Sequence, residues 1–220
     1  MPKASTSSAS FLVFALRPCE VLDHVIREAK INTRAIAGEQ VYLSHPPHLT
    51  LYVAAFDEPE RAAARCEELL ANWSPPQFDV VGWHHFAGDV LTGQQTLVCQ
   101  ISKTGSETLR KYQASLIEAV HALRDATLSL ERYRPHFETL SLQRQQSVQS
   151  VGFPFTGSDW IPHFTVASVE PARWEPLWNA LKKQPPQGHF TCDRLSIFRL
   201  VDDFPTGWRE IPLRNEIVID

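Results

Sequence analysis

The chain has 220 residues with 21 Lys and Arg against 25 Asp and Glu, so its formal charge is −4 when histidine is neutral. Hydrophobic residues make up 43% of the chain and charged residues 21%, which excludes wholesale disorder and fibrous repeats. The mild negative charge argues against a protein that coats long nucleic acids, because such binding depends on phosphate neutralisation. It leaves room for a small phosphate pocket, and nine histidines are numerous enough to call for a chemical reason.

Cysteine spacing and the N-terminal region indicate the cellular compartment. There is no CxxC pair or zinc-type spacing among the four cysteines, which are Cys19, Cys66, Cys99 and Cys192. Scattered thiols of this kind are typical of reduced, cytosolic proteins. The apolar run at residues 11–16 is too short for a signal peptide or a membrane span. We therefore expect a cytoplasmic protein, monomeric and without a membrane partner.

Apolar runs and apolar stripes alternate along the chain. Short runs predict strands at residues 11–17, 49–56, 78–86, 96–101, 164–169, 190–200 and 208–213. Stripes with helical period predict helices at residues 21–38, 62–73, 104–123 and 174–181. Residues 126–160, Gln-rich in part, break this alternation and are expected to form a connection with some helix of its own.

The order of these elements predicts the fold class. Strands and helices are interleaved, but the paired strands favour antiparallel sheets, so α+β is the expected class. Residues 1–10 are polar and Ser-rich and are expected to form a flexible N-terminus. Residues 11–220 are expected to form a single domain, which is long enough to bury a core without disulfides.

One short pattern occurs twice, as PHLTL at residues 47–51 and PHFTV at residues 162–166. Each copy leads into a predicted strand, where residues i and i+2 share a face. The histidine and threonine of each copy, His48 with Thr50 and His163 with Thr165, therefore point one way while their apolar neighbours point into the core. Two such strands across a cleft would present two imidazoles and two hydroxyls to one small volume.

That set of side chains suits a phosphodiester or a cyclic phosphate. Threonine hydroxyls donate to non-bridging oxygens, and one neutral with one protonated histidine serves as base and acid. This chemistry needs no metal and no cofactor. A single His-x-Thr is more often a half-buried surface pair, but the matched copies, with both prolines and both apolar partners, favour function.

The paired motifs, together with residues 152–168 (GFPFTGSDWIPHFTVAS), resemble the 2H phosphoesterase superfamily. The similarity is to its 2'-5' RNA ligase-like (LigT-like) and cyclic phosphodiesterase members, and it extends from near Phe11 to near Leu213. The resemblance implies a bilobal α+β fold with pseudo-twofold symmetry. Two mostly antiparallel sheets with flanking helices would surround a central cleft, and each lobe would carry one His-x-Thr motif.

The resemblance also implies an activity in RNA processing or on nucleotides, at 2',3'-cyclic phosphates or 2'-5' linkages. Carried over to this chain, the catalytic pair is His48 and His163, and the phosphate-binding pair is Thr50 and Thr165. We therefore expect a metal-independent phosphodiesterase whose partner is a nucleotide or an RNA end with a cyclic phosphate. One histidine would activate water and the other would protonate the leaving ribose oxygen, and the symmetric motifs leave the assignment open.

Three alternatives remain open from the sequence. The protein would be a non-catalytic nucleotide- or RNA-binding module, an RNA 2'-5' ligase running the reaction in reverse, or a metal-binding protein using His48 and His163. The substrate is open too: a cyclic nucleotide, an RNA end, tRNA halves, a 2'-5' oligonucleotide or an ADP-ribose cyclic phosphate. No carboxylate or cysteine accompanies either motif at ligand spacing, which disfavours the metal-binding alternative.

Aromatic residues near the motifs are candidates for stacking a base, since stacking needs only an exposed ring face. We expect Tyr42 and Phe155 to bind substrate in this way. Trp160 is a weaker candidate, and Tyr52 shares the face of His48 and Thr50 if the strand alternates regularly.

Several other polar residues have ordinary interpretations. His45 is expected to be a solvated loop residue, and His136 imitates the motif but is followed by threonine at i+3, on the opposite face of a strand. Three arginines in or next to the connecting segment are within possible reach of a substrate phosphate, although a solvated surface position is the ordinary expectation for each; these are Arg132, Arg134 and Arg144.

Overall fold

A computed structural model describes residues 9–213 of the chain. Most of the predicted flexible N-terminus, residues 1–8, and the last part of the predicted domain, residues 214–220, lie outside the described residues. Within the described part, no helix combines the length and apolar character needed to cross a bilayer.

Strands and helices follow the predicted order closely. The described strands are β1 (Ser10–Pro18), β2 (Leu49–Phe56), β3 (Gln77–Phe86), β4 (Gln95–Ile101), β5 (His163–Val169), β6 (Gly188–Val201) and β7 (Phe204–Pro212). The α-helices are α1 (Glu20–Ala37), α2 (Pro59–Leu70), α3 (Lys103–Val120), α4 (Ala126–Tyr133), α5 (Leu142–Val151) and α6 (Pro171–Leu181). Short 3₁₀ turns lie at His121–Leu123, Arg134–Thr139 and Gly157–Asp159.

Local sequence explains several of these boundaries. Helices α2 and α6 begin at Pro59 and Pro171, because the first turn of a helix does not need the N–H that proline lacks. Helix α1 ends at Gly38, whose φ of +78° lies in the left-handed region that glycine adopts at little cost. The connecting segment does contain helix, since α4 and α5 lie within it.

All strand pairs are antiparallel, and the hydrogen-bonded order is β2-β1-β6-β3-β4-β5, with β7 also on β6. Strand β6 belongs to both halves of this path. Its first residues pair with β3, whereas residues 192–199 pair with β1. The two predicted sheets are therefore two halves joined through one strand, and the α+β class is confirmed.

The two ends of the sheet meet. Strands β2 and β5 lie at opposite ends of the hydrogen-bonded path, yet they contact each other in space. These are the two strands that the His-x-Thr motifs enter. The main core is formed largely by side chains of β1, β2, α2 and α3. A smaller apolar cluster lies where β5 packs against α1 and α6.

Candidate active site

Both motifs line one central cavity of about 500 Å³. His48 and Thr50 enter it from the start of β2, and His163 and Thr165 enter it from the start of β5. The apolar partners of these residues point the other way: Leu49 and Phe164, for example, are fully buried. The alternation expected for a strand therefore holds across both motifs, and their four polar side chains share one volume.

A β-bulge directly follows each motif. Thr50 pairs with Ala15 and Tyr52 with Phe14, so Leu51 is an extra residue in β2. In the same way, β5 has Val166 as an extra residue between the partners of Val98 and Leu97. Because a bulge inserts one residue into a strand, the side-chain alternation reverses beyond it.

The first bulge corrects the expectation for Tyr52, which does not share the face of His48. Its ring is fully buried in the core, and its hydroxyl donates to the carbonyl oxygen of Val151 at 2.5 Å. Val53, one residue further along, lines the cavity instead. Side chains of β2 therefore alternate regularly through His48 and Thr50, and the alternation is reversed from Tyr52 onward.

The two catalytic candidates are held in the same way. The Nδ1–H of His48 donates to the carbonyl oxygen of Pro46 at 2.7 Å, and that of His163 donates to the carbonyl oxygen of Ile161 at 2.6 Å. A carbonyl oxygen only accepts, so Nδ1 carries a proton in both rings. In the neutral ring, Nε2 is then the atom left with a lone pair for proton transfer.

Charges near His48 are positive. Burial, with smaller contributions from His45, Lys30 and Arg17, lowers the pKa of His48 to about 4. The hydrogen bond to Pro46 opposes this shift. His48 is therefore neutral at pH 7, as a general base must be before it accepts a proton.

The charged groups near His163 include an anion, in contrast to those near His48. Burial lowers the pKa of His163 as well, but the carboxylate of Asp89 raises it, as does the hydrogen bond to Ile161. His84 is the neighbouring group that lowers it. An anion beside this ring and cations beside the other one make the protonated form more favourable at His163.

The two aromatic candidates both line the cavity. Tyr42 has a φ of +70°, and burial raises the pKa of its phenol to about 12. The ring of Phe155 lies 5.2 Å from the guanidinium carbon of Arg144. Trp160 lines the cavity too, although its side chain is 4% exposed and is mostly core.

Three expected surface residues prove to be part of the cavity wall. His45 is half-buried rather than solvated, with its ring centroid 5.1 Å from that of Tyr42, and burial lowers its pKa to about 4. Arg132 and Arg144 also line the cavity, whereas Arg134 is exposed at the end of α4 and pairs with Glu131.

Each arginine of the cavity wall has a carboxylate partner that lines the same cavity. Arg132 donates from Nη1 to Oδ1 of Asp203 at 2.8 Å, and Nε of Arg144 lies 3.6 Å from Oδ2 of Asp159. Each of these two positive charges therefore already has a carboxylate within 4 Å. His136, by contrast, lies in a 3₁₀ turn away from the cavity lining, and its carbonyl oxygen accepts from Thr139.

Lys30 and Asp89 are cavity residues that the sequence interpretation did not single out. Lys30 is only 6% exposed although it is a lysine. A signal was present: Lys30 is four residues after Ile26, so it continues the buried face of α1. Asp89 lies in the turn between β3 and β4, where a carboxylate at a turn start is too common to attract notice.

Across residues 9–213, no group of three or more histidine, cysteine or carboxylate side chains is arranged to hold a metal ion.

Solved structures that share this fold over nearly the whole chain include TT0787 and Usb1. TT0787 of Thermus thermophilus is 18% identical, with a TM-score of 0.60 over 94% of this chain and 99% of that one. Usb1 of Kluyveromyces marxianus is 12% identical, with a TM-score of 0.51 over 96% and 100% of the two chains. E. coli LigT, in a complex with 3'-AMP, is 17% identical with a TM-score of 0.49 over 94% and 99%.

Sequence comparison gives the family. No curated protein matches the chain. A family model, described as the 2'-5' RNA ligase superfamily, matches residues 18–147, which include the first His-x-Thr motif and end before the second. This match covers more than half of the chain and confirms the resemblance inferred from the paired motifs. The chain belongs to the 2'-5' RNA ligase superfamily, within the 2H phosphoesterases.

Proposed function

We propose that this protein is a metal-independent phosphodiesterase that opens a 2',3'-cyclic phosphate, or cleaves a 2'-5' linkage, on RNA or a nucleotide. The observation that carries the proposal is the convergence of His48, Thr50, His163 and Thr165 on one cavity. Each imidazole has its Nδ1 occupied by a backbone carbonyl, which leaves Nε2 for proton transfer. Membership of the 2'-5' RNA ligase superfamily supports a reaction of this class.

In the proposed reaction, water attacks phosphorus while the basic histidine takes one of its protons. The bond from phosphorus to a ribose oxygen breaks, and the acidic histidine gives its proton to that oxygen. The product is a phosphomonoester beside a free hydroxyl. Solvent exchange then restores both histidines to their starting protonation states. No step requires a redox partner or a metal.

The threonine hydroxyls hold the phosphoryl oxygens during this step. Negative charge on these oxygens grows as the fifth oxygen approaches phosphorus, so a donor that is already in place stabilises the transition state. Thr50 and Thr165 lie on the cavity face at equivalent positions before their bulges. They would contact the two non-bridging oxygens of one phosphate.

The neighbouring charges favour His48 as the base and His163 as the acid. Burial, together with the cations beside it, keeps His48 neutral, so its Nε2 accepts the proton from water. The carboxylate of Asp89 favours the protonated form of His163. A bound phosphate anion acts in the same direction, because an opposite charge raises the pKa of a nearby imidazole.

Hydrolysis of a 2',3'-cyclic nucleotide in the presence of EDTA tests the proposal. His48→Ala and His163→Ala should each lower turnover by about 10²-fold or more, the usual contribution of a general acid or base. His24→Ala is the matched control, since His24 is exposed on α1 and should leave the rate unchanged. Thermal unfolding of each variant establishes that a loss of rate is not a loss of fold.

The alternatives predict other outcomes of the same assay. A non-catalytic binding module would retain the cyclic nucleotide intact, and a metal-dependent enzyme would lose its activity with EDTA. Full activity in either single histidine variant would contradict the acid–base pair. Joining of RNA ends, measured as formation of a 2'-5' linkage, tests the ligase reaction separately.

A substrate panel addresses specificity. It consists of a cyclic mononucleotide, RNA with a cyclic phosphate end, tRNA halves, a 2'-5' oligonucleotide and an ADP-ribose cyclic phosphate, each assayed with EDTA. Tyr42 and Phe155 line the cavity next to the motifs, so we propose that they bind the base or sugar. Their replacement by leucine should raise KM for the preferred substrate more than it lowers kcat. Cytoplasmic location and a monomeric state remain predictions.

A further inference from the structure

Two helix side chains bind the backbone at the bulges. A bulge leaves backbone groups outside the regular strand ladder, and buried carbonyl oxygens need a donor. Gln113 of α3 donates from Nε2 to the carbonyl oxygen of Leu51 at 2.9 Å. Lys30 of α1 donates from Nζ to the carbonyl oxygen of Val166 at 2.8 Å. Both bulge carbonyls therefore have a side-chain donor.

Each of these two donors also reaches the chain that leads into the other motif. Gln113 donates to the carbonyl oxygen of Phe155 at 2.9 Å, upstream of His163. Lys30 donates to the carbonyl oxygen of Tyr42 at 2.6 Å, upstream of His48. We call Lys30 and Gln113 the two braces, because each connects the bulge after one motif with the segment before the other.

The braces differ in charge and in access to the cavity. Gln113 is neutral and 1% exposed, and it is not among the residues that line the cavity. Lys30 lines the cavity and is 6% exposed. An uncharged amide is sufficient to donate to the carbonyl oxygen at the first bulge. A lysine is therefore not required to donate to the carbonyl oxygen at the second bulge. Burial of its ammonium costs free energy, which bracing alone does not explain.

Within the described part of the chain, the ammonium of Lys30 also lacks a carboxylate partner. Among the ion pairs of residues 9–213, Arg132 and Arg144 of the cavity wall each have one, and Lys30 has none. Its described charged or titratable neighbours are Arg27 and Arg34 on its own helix, Cys99 on β4, and His45 and His48 across the cavity. An ammonium has three N–H donors, and the two backbone carbonyls use only two of them.

We propose that Lys30 is a further phosphate-binding residue, whose third N–H and unbalanced positive charge hold a phosphoryl oxygen beside the two threonines. This proposal rests on the proposed function only for the identity of the substrate. The same charge adds to the burial that keeps His48 neutral, so Lys30 both attracts the anion and helps to prepare the base. Burial lowers the pKa of Lys30 to about 8, so most of it is still charged at pH 7.

Three variants separate the effect of the positive charge of Lys30 from the effect of its hydrogen bonds to the backbone. Lys30→Gln keeps two N–H donors for the carbonyls of Tyr42 and Val166 and removes the charge. Lys30→Met removes both, and Gln113→Met removes only the uncharged brace. Binding of inorganic phosphate at pH 7 is measured by calorimetry, the pKa of His48 by NMR titration, and stability by thermal unfolding.

Lys30→Gln should weaken phosphate binding by about 10-fold, the effect of losing one charge-assisted hydrogen bond. It should also raise the pKa of His48, because a nearby positive charge has gone. Gln113→Met should lower thermal stability yet leave phosphate affinity and the His48 titration unchanged. Lys30→Met should show both kinds of change.

The proposal is overturned if Lys30→Gln binds phosphate as the wild type does, or if the His48 pKa does not move. Equal losses of phosphate affinity in Lys30→Gln and Gln113→Met would also overturn it, since bracing would then account for both. Neither readout requires turnover. Failure of the phosphodiesterase assay is therefore distinguishable from failure of the role of Lys30.

Discussion

The two motifs have the same backbone geometry and opposite electrostatic surroundings. In each, a histidine donates from Nδ1 to the carbonyl two residues before it, a threonine faces the cavity, and a bulge follows. Around His48 the neighbouring charges are cationic, whereas Asp89 lies near His163. A duplicated backbone therefore positions equivalent side chains, while residues outside the duplication give the two histidines different protonation preferences.

The largest expected effect is a difference between the two histidine variants that depends on whether the leaving group of the substrate needs a proton. Against a nucleotide p-nitrophenyl phosphodiester, whose leaving oxygen needs no proton, His163→Ala should recover most of its loss of about 10²-fold. His48→Ala should retain its loss, because water still requires a base. Initial rates with the cyclic nucleotide and with the p-nitrophenyl ester measure the difference. Recovery in His48→Ala instead would reverse the assignment of acid and base.

Replacement of the threonines tests whether the two motifs contribute equally to phosphate binding. Thr50→Val and Thr165→Val keep the β-branched shape and remove one hydroxyl each. Each should lower kcat/KM by roughly 10-fold, as expected for a hydrogen bond to a charged group. Thr92→Val serves as a control, because that hydroxyl bonds to Ser168 and not to the cavity. A loss confined to one of the two threonines would show that the phosphate is held asymmetrically.

The smallest effect is expected from Asp89→Asn, which removes the anion beside His163. Its carboxylate favours the imidazolium, so its loss lowers the pKa of His163. The imidazolium is then lost at a lower pH, and the alkaline limb of the kcat/KM profile moves down in pH. Asp159→Asn is the control: Asp159 lines the same cavity but faces Arg144, and the limb should stay in place. An unchanged limb in Asp89→Asn would argue that His163 is not the acid.

Much of the fold was predictable because the strands are apolar runs and most helices have an apolar stripe. Strand β2 has the predicted bounds, and the other strands differ from prediction by a few residues. Helix α5 was harder to recognise, since its buried positions are Ser147 and Val148 and leave almost no apolar stripe. The sharing of β6 by both halves follows from strand pairing, which alternation within one strand does not encode.

The central four site residues were predictable because the motif is repeated, with an alternation that depends only on local geometry. Tyr52 was misplaced because Leu51 is a bulge, and a bulge is set by the register with β1 rather than by β2 alone. His45, Arg132 and Arg144 reach the cavity through loops and helices whose approach is a tertiary property. Lys30 was missed because a lysine is normally assigned to a solvated face.

Strand β6 also has a consequence for synthesis of the chain. Before β6 exists, β1 can pair only with β2 along its length, and β3 only with β4, so each has one open edge. An open edge is a template for pairing with other chains. Because β6 begins at Gly188, both edges stay open long after β1 and β3 have been synthesised, and both are closed by the same segment. The nascent chain therefore passes through a long stage in which both halves need protection from aggregation.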